Sequence, residues 1–111
     1  SEIGEVKYES DWYDYDSKYY SNNKITIPAE IDSKITKEIK EIAIQSCRAL
    51  NISGFARVDF FLEKSTNKIL LNEINTIPGF TKNSMFPMLW KASGLNIEQL
   101  VAKLVDISLD L

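Results

Sequence analysis

The sequence predicts an α+β fold, a mainly antiparallel sheet with packed helices, and three observations carry that prediction. Residues 34–50 place Ile35, Ile39, Ile42, Ala43, Cys47 and Leu50 at helical spacing, opposite a polar face of Lys34, Lys37, Glu38, Lys40, Glu41 and Gln45. Residues 54–75 read as two alternating strands joined by the turn Lys64-Ser65-Thr66-Asn67-Lys68, which suits an antiparallel hairpin. A loop rich in Thr, Pro, Gly, Asn and Ser follows, and after it two short helical patterns. The amphipathic helix needs an apolar face to cover, and the hairpin supplies one.

Taken in order, residues 1–12 alternate Ile3, Glu5 and Lys7 against Gly4, Val6 and Tyr8, a strand of mixed parity. Residues 13–24 follow neither period. Asp, Ser and the Asn22-Asn23 pair mark a loop, and four tyrosines fall within eight residues. Ile25 to Ile31, with Pro28, read as a short edge strand entering a turn. Asp32 or Ser33 can cap the long helix, and Asn51 and Gly54 can end it. Beyond the second strand and its loop, Ser84 to Ala92 read as a helix with Pro87 near its first turn, stopped by Gly94. Asn96 can then cap a last helix to about Ile107, with Ile97, Leu100, Val101, Leu104 and Val105 as its core face.

Length and composition bound the function. At 111 residues the chain is one domain at most. Hydrophobic residues make up 44% and charged residues 26%, the balance of a folded globular chain rather than a disordered one. Thirteen basic residues against sixteen acidic leave a net charge of −3, so there is no basic surplus for nucleic acid or an anionic membrane. With no histidine, Ser-His and Cys-His nucleophilic catalysis and histidine-rich zinc sites are excluded. The single cysteine, Cys47, permits no internal disulfide, fits a reducing cytosol and reads as a buried small hydrophobe. Apolar runs fall short of a membrane span, and no signal peptide is visible. The missing initiator Met and a start in mid-strand suggest a piece of a longer protein.

The chemistry gathers on the hairpin. Strand alternation places Arg57, Asp59 and Phe61 on one face of the first strand, and Leu71, Glu73 and Asn75 on one face of the second; Leu70, Asn72 and Ile74 fall opposite. In antiparallel pairing Arg57, Asp59, Glu73 and Asn75 converge. Two carboxylates, an amide and a guanidinium are costly to bring together under cover without a role. Carboxylate and amide oxygens are the ligands that hard Mg²⁺ prefers, with phosphate oxygens completing its shell. A half-exposed hairpin whose polar face meets water would display the same residues. The loop Thr76-Ile77-Pro78-Gly79-Phe80-Thr81, which can aim backbone N–H groups at an anion, tilts the balance towards a site.

The run RVDFF…LLNEINTIPGFTKNSMFPMLW closely resembles the C-terminal part of D-alanine–D-alanine ligases, of the ATP-grasp superfamily, and Tyr13-Asp14-Tyr15-Asp16-Ser17-Lys18-Tyr19 resembles their omega loop. The resemblance covers essentially the whole chain. It implies an ATP-grasp C-terminal subdomain with an omega loop over residues 13–24, a metal and oxyanion hairpin and loop over 54–85, and N-terminal and central lobes absent. It also implies ATP as co-substrate and two Mg²⁺ (or Mn²⁺) ions, one held by Asp59 and Glu73 and a second by Glu73 and Asn75. Arg57 would hold the acyl-phosphate and tetrahedral intermediate, and the Gly79 N–H would complete that oxyanion site. Ser84 and the Met85 N–H would bind the carboxylate of the second D-alanine. Lys18 would reach the transferred phosphate, with Asn72 and Glu73 also on the nucleotide side. Tyr19 would face the substrate pocket, Tyr13 would help anchor the loop, and residues 13–24 are expected to be displaced without ligand.

The implied reaction forms D-alanyl-D-alanine for peptidoglycan synthesis in the bacterial cytoplasm, with the remaining lobes of the same enzyme as partners and a full-length protein that can be a homodimer. Tyr19 in the form Y-D-Y-x-x-K-Y favours D-alanine over D-lactate as second substrate. Without the other lobes, the 111-residue piece is expected to be inactive alone. Two further readings compete: another ATP-grasp ligase, which shares the metal oxygens but generally not the omega-loop motif, and a non-catalytic α+β interaction module.

Overall fold

The computed structural model of the chain describes residues 1–7 and 24–110. Its elements follow the order β1 (Glu5–Lys7), β2 (Lys24–Thr26), α1 (Ser33–Ala49), β3 (Arg57–Glu63), β4 (Lys68–Asn75), α2 (Met85–Ala92) and α3 (Ile97–Leu109). The α+β class holds. Among the described residues, however, the strands form two separate two-stranded antiparallel ladders, β1–β2 and β3–β4, instead of one continuous sheet. The β1–β2 ladder is only three residues long, with Val6 opposite Ile25. The edge strand expected over residues 25–31 is accordingly shorter, and Lys24, expected at the end of the loop, already belongs to it.

Helix α1 starts where the side chain of Asp32 accepts the Lys34 N–H at 2.7 Å, satisfying one of the unpaired amides of the first turn. It ends in a paired αL cap. Asn51 has φ +55, its N–H donates to the Arg48 carbonyl (3.1 Å), and the Ile52 N–H donates to the Cys47 carbonyl (2.9 Å). Of its apolar positions Ile39 is buried, Ile35, Ile42 and Ala43 are half-buried, and Leu50, expected on the core face, is exposed. Cys47, expected to be buried, is half-buried and free.

Helix α2 repeats the ending with Gly94 at φ +99 and bonds from Gly94 N–H to the Lys91 carbonyl and from Leu95 N–H to the Trp90 carbonyl. Asn96 and Gln99 then open α3 with a reciprocal capping box. The core centres on α2 and α3, where Phe86 is 3% and Leu100 2% exposed, with Pro78 and Pro87 also buried. The Phe86 ring packs against Phe55 at 5.6 Å and Phe80 at 6.1 Å between centroids, tying the entry to β3, the loop after β4 and the start of α2 to one point. The segment before β1 is fastened to the same helix. The Glu2 N–H donates to Ser93 Oγ at 2.7 Å, and Gly4 lies so close to Met85 and Leu89 that a Cβ there would fall 2.6 and 2.8 Å from their side chains.

The expected core face of the last helix is covered on one side only. Leu100 is buried and Leu104 and Ile107 are half-buried, whereas Ile97, Val101 and Val105 are exposed, together with Leu109.

Candidate phosphate, metal and carboxylate site

The β3–β4 register brings the four hairpin residues together. Arg57 pairs with Asn75 and Asp59 with Glu73, so all four side chains leave the same face. The register then slips. Phe60 pairs with Leu71, leaving Asn72 as the extra residue of a β-bulge. The slip corrects the expected parity of β4: Leu71 shares the opposite face with Ile69 and Ile74, while Leu70, opposite Phe61, joins the polar side. Asn72, expected on the nucleotide side, is exposed at the bulge without a cross-strand partner.

On the polar face Arg57 grips Asp59 with two parallel bonds, Nε to Oδ1 at 2.8 Å and Nη2 to Oδ2 at 2.9 Å, the fork geometry of a strong charge-assisted pair. Glu73 Oε1 lies 3.7 Å from the same Nη2. The side chain of Arg57 is 24% exposed, that of Asp59 32% and that of Glu73 52%, so the cluster opens to solvent on the Glu73 side. Asn75 Oδ1 accepts the Ile77 N–H at 3.0 Å, which fixes the start of the loop and leaves its second lone pair for another donor or a cation. Among the described residues no three His, Cys, Asp or Glu side chains are grouped to hold a metal. The hairpin offers two carboxylates and an amide, hard oxygen donors suited to Mg²⁺ when phosphate and water oxygens complete the octahedron.

The loop after β4 closes on Ser84. The Ser84 N–H donates to the Thr81 carbonyl at 3.0 Å, the Thr81 N–H donates to Ser84 Oγ at 3.0 Å, and Thr81 Oγ1 lies 2.6 Å from Ser84 Oγ. Gly79 passes the same hydroxyl, and a Cβ on it would sit 3.0 Å from Ser84 Oγ. Ser84 is the N-cap of α2 and Met85 its first helical residue, so the first-turn amides and the Ser84 hydroxyl share one end of the helix. That turn carries no acidic residue to compete with an anion. Thr81 was not among the expected site residues; the T-x-x-S spacing in front of a helix is the signal that would have found it.

The structure thus brings together Arg57, Asp59, Glu73 and Asn75 on one strand face and Gly79, Ser84 and Met85 at the loop and helix start. Tyr13, Lys18 and Tyr19, and with them the expected displacement of the omega loop, lie outside the described residues.

Residues 1–106 match the family model described as D-ala D-ala ligase C-terminus. The chain is 95% identical over its whole length to a D-alanine–D-alanine ligase of Prochlorococcus marinus (strain MIT 9215), of which it covers 31%. It therefore spans about a third of the length of the curated relatives it matches. Among solved structures it is similar to the VanG D-Ala:D-Ser ligase of Enterococcus faecalis, with a TM-score of 0.80, 41% identity and coverage of 96% of this chain and 31% of that one. The D-alanine–D-alanine ligase of Coxiella burnetii gives 0.74 at 45% identity, covering 78% of this chain and 25% of that one.

Proposed function

We propose that this chain, which belongs to the D-Ala–D-Ala ligase C-terminal family, is the part of an ATP-dependent D-alanine–D-alanine ligase that holds the phosphates, the metal ions and the acceptor amino acid. In the whole enzyme the carboxylate of one D-alanine takes the γ-phosphoryl group of ATP, giving an acyl-phosphate and ADP. The amino group of a second D-alanine then attacks the acyl carbon, phosphate leaves, and D-alanyl-D-alanine results, the dipeptide used in bacterial peptidoglycan synthesis. The observation that carries this reading is the convergence of Arg57, Asp59, Glu73 and Asn75 on one face of β3–β4.

Each residue has a task that its chemistry fits. Asp59, Glu73 and Asn75 would hold Mg²⁺ or Mn²⁺, for which their hard carboxylate and amide oxygens are suited. When bound, the ions neutralise phosphate charge during phosphoryl transfer. Arg57, whose Nε and Nη2 edge is engaged by Asp59, would bring its guanidinium charge and donors to the oxygens of the acyl-phosphate and of the tetrahedral intermediate. The Gly79 N–H is the second donor to that oxyanion, and the missing side chain lets the substrate approach. Ser84 and the Met85 N–H receive the acceptor carboxylate at the positive end of α2. Tyr13, Lys18 and Tyr19 lie outside the described residues; by the likeness of their motif to the family's omega loop, Lys18 would serve the transferred phosphate, Tyr19 the substrate pocket and Tyr13 the loop itself.

The likeness to a D-Ala:D-Ser ligase favours one alternative acceptor, D-serine. Ser84 and Met85 read the carboxylate that D-alanine and D-serine share and do not tell the two apart, while the Y-D-Y-x-x-K-Y form with Tyr19 favours D-alanine over D-lactate. The full-length protein, given ATP, Mg²⁺ and D-alanine, is expected to release phosphate in step with dipeptide, with D-alanine outcompeting D-serine and D-lactate as acceptor. Ser84→Ala is expected to raise the acceptor KM. No D-alanine-dependent phosphate release by the full-length protein would sink the ligase reading.

A further inference from the structure

We infer that Thr81 is a positioning residue of the acceptor site: it fills the lone pairs of the Ser84 hydroxyl, so that the one Ser84 proton is left for an incoming carboxylate. The inference rests on the reading of Ser84 as a carboxylate donor.

A serine hydroxyl has one proton to give and two lone pairs to fill. A serine at a helix start ordinarily accepts an N–H from the second or third helical residue. Here the third helical residue is Pro87, which has no N–H, and the Ser84 side chain makes no capping bond. It turns instead to Thr81, taking its N–H at 3.0 Å and lying 2.6 Å from its hydroxyl.

The short hydroxyl contact has two senses. If Ser84 donates, its proton points back into the loop and none is left for a ligand. If Thr81 donates, both lone pairs of Ser84 are filled and its proton points away from the loop. A carboxylate only accepts, so its arrival selects the second sense: Thr81 to Ser84, and Ser84 to the carboxylate. Each donation polarises the next, which strengthens the terminal bond. A group that can only donate meets a hydroxyl with no lone pair to offer, so the pair also discriminates by charge type. Gly79 closes the loop side of the same hydroxyl.

The test uses the full-length protein. Thr81→Val keeps the backbone N–H and the side-chain size but removes the hydroxyl; Thr81→Ser restores it. Thr81→Val is expected to raise the acceptor KM about tenfold with the KM for ATP unchanged, and to narrow the preference for D-alanine over D-alaninamide as acceptor. Thr81→Ser is expected to recover both. Thr81 is exposed, so the valine variant is expected to fold; if it does not, Thr81→Ala reads the same loss. An unchanged acceptor KM in the hydroxyl-free variant, or a serine variant as impaired as valine, overturns the inference. Ser84→Ala separates the two readings. If it leaves the acceptor KM unchanged, the carboxylate role of Ser84 falls and Thr81 falls with it. If Ser84→Ala raises the KM and Thr81→Val does not, only the role of Thr81 falls. The double variant is expected to be no weaker than Ser84→Ala, and a further loss would mean that Thr81 acts independently, against the relay.

Discussion

Gly79→Ala adds a single methyl group where the loop passes Ser84, and its cost can be worked from the structure. The new Cβ would lie 3.0 Å from Ser84 Oγ and 3.6 Å from Ser84 Cβ. Gly79 is not among the residues with positive φ, so the substitution brings crowding without backbone strain. To relieve the contact, Ser84 Oγ must move by a few tenths of an ångström while Thr81 holds it through contacts of 2.6 and 3.0 Å. Lengthening one or both forfeits roughly 1–2 kcal/mol, since a net hydrogen bond contributes about 1 kcal/mol. If the hydroxyl receives the acceptor carboxylate, that corresponds to about a tenfold higher acceptor KM.

Steady-state phosphate release by the full-length protein, with D-alanine varied at saturating ATP, reads this directly. Gly54→Ala is the control. Gly54 has φ +86 and nothing within 4 Å of an added Cβ, so alanine there brings strain without crowding. It is expected to cost about 1 kcal/mol of stability and to leave the acceptor KM alone. A Gly79→Ala enzyme with the unaltered KM, or a Gly54→Ala enzyme with an equally raised one, would refute the geometry assigned to this loop.

Other outcomes follow from the same geometry. Glu73→Gln removes one of the two carboxylates beside Arg57, and the Mg²⁺ concentration for half-maximal activity is expected to rise about tenfold or more, because a neutral amide binds a hard dication far less well. Its pairing with Arg57 is long and half exposed, so thermal unfolding should move little, by less than about 1 kcal/mol of stability. Phe86→Ala empties the ring contact shared by Phe55 and Phe80 and should cost about 3–5 kcal/mol, seen as a lowered unfolding midpoint. The 111-residue chain by itself, assayed with ATP, Mg²⁺ and D-alanine, is expected to show no turnover, and clear phosphate release would contradict the division of labour proposed for the lobes.

Much of the architecture was legible in the residues because it is written locally. A helix from about 34 to 50 follows from apolar spacing and from Asp32 and Asn51, which act within one turn of its ends. Antiparallel alternation put Arg57, Asp59, Glu73 and Asn75 on one side, and the observed register agrees. Helical periodicity also marked the apolar side of α3, but it states which positions are apolar and not what covers them; Ile97, Val101 and Val105 are exposed while Leu100 is buried.

By itself, the order of side chains determined the elements, their caps and the polar hairpin face, since each depends on neighbours a few positions apart. Only the tertiary structure decided the rest. The bulge at Asn72 moves Leu71 to the apolar face and Leu70 to the polar one, because register is a property of two strands and one added residue reverses parity beyond it. The separation of the strands into two ladders and the convergence of Phe55, Phe80 and Phe86 are likewise set by packing between segments. The turning of Ser84 from its helix to Thr81 has the same origin: a hydroxyl takes the donors that folding brings within reach, and Pro87 removes one of the two that its own helix could have supplied.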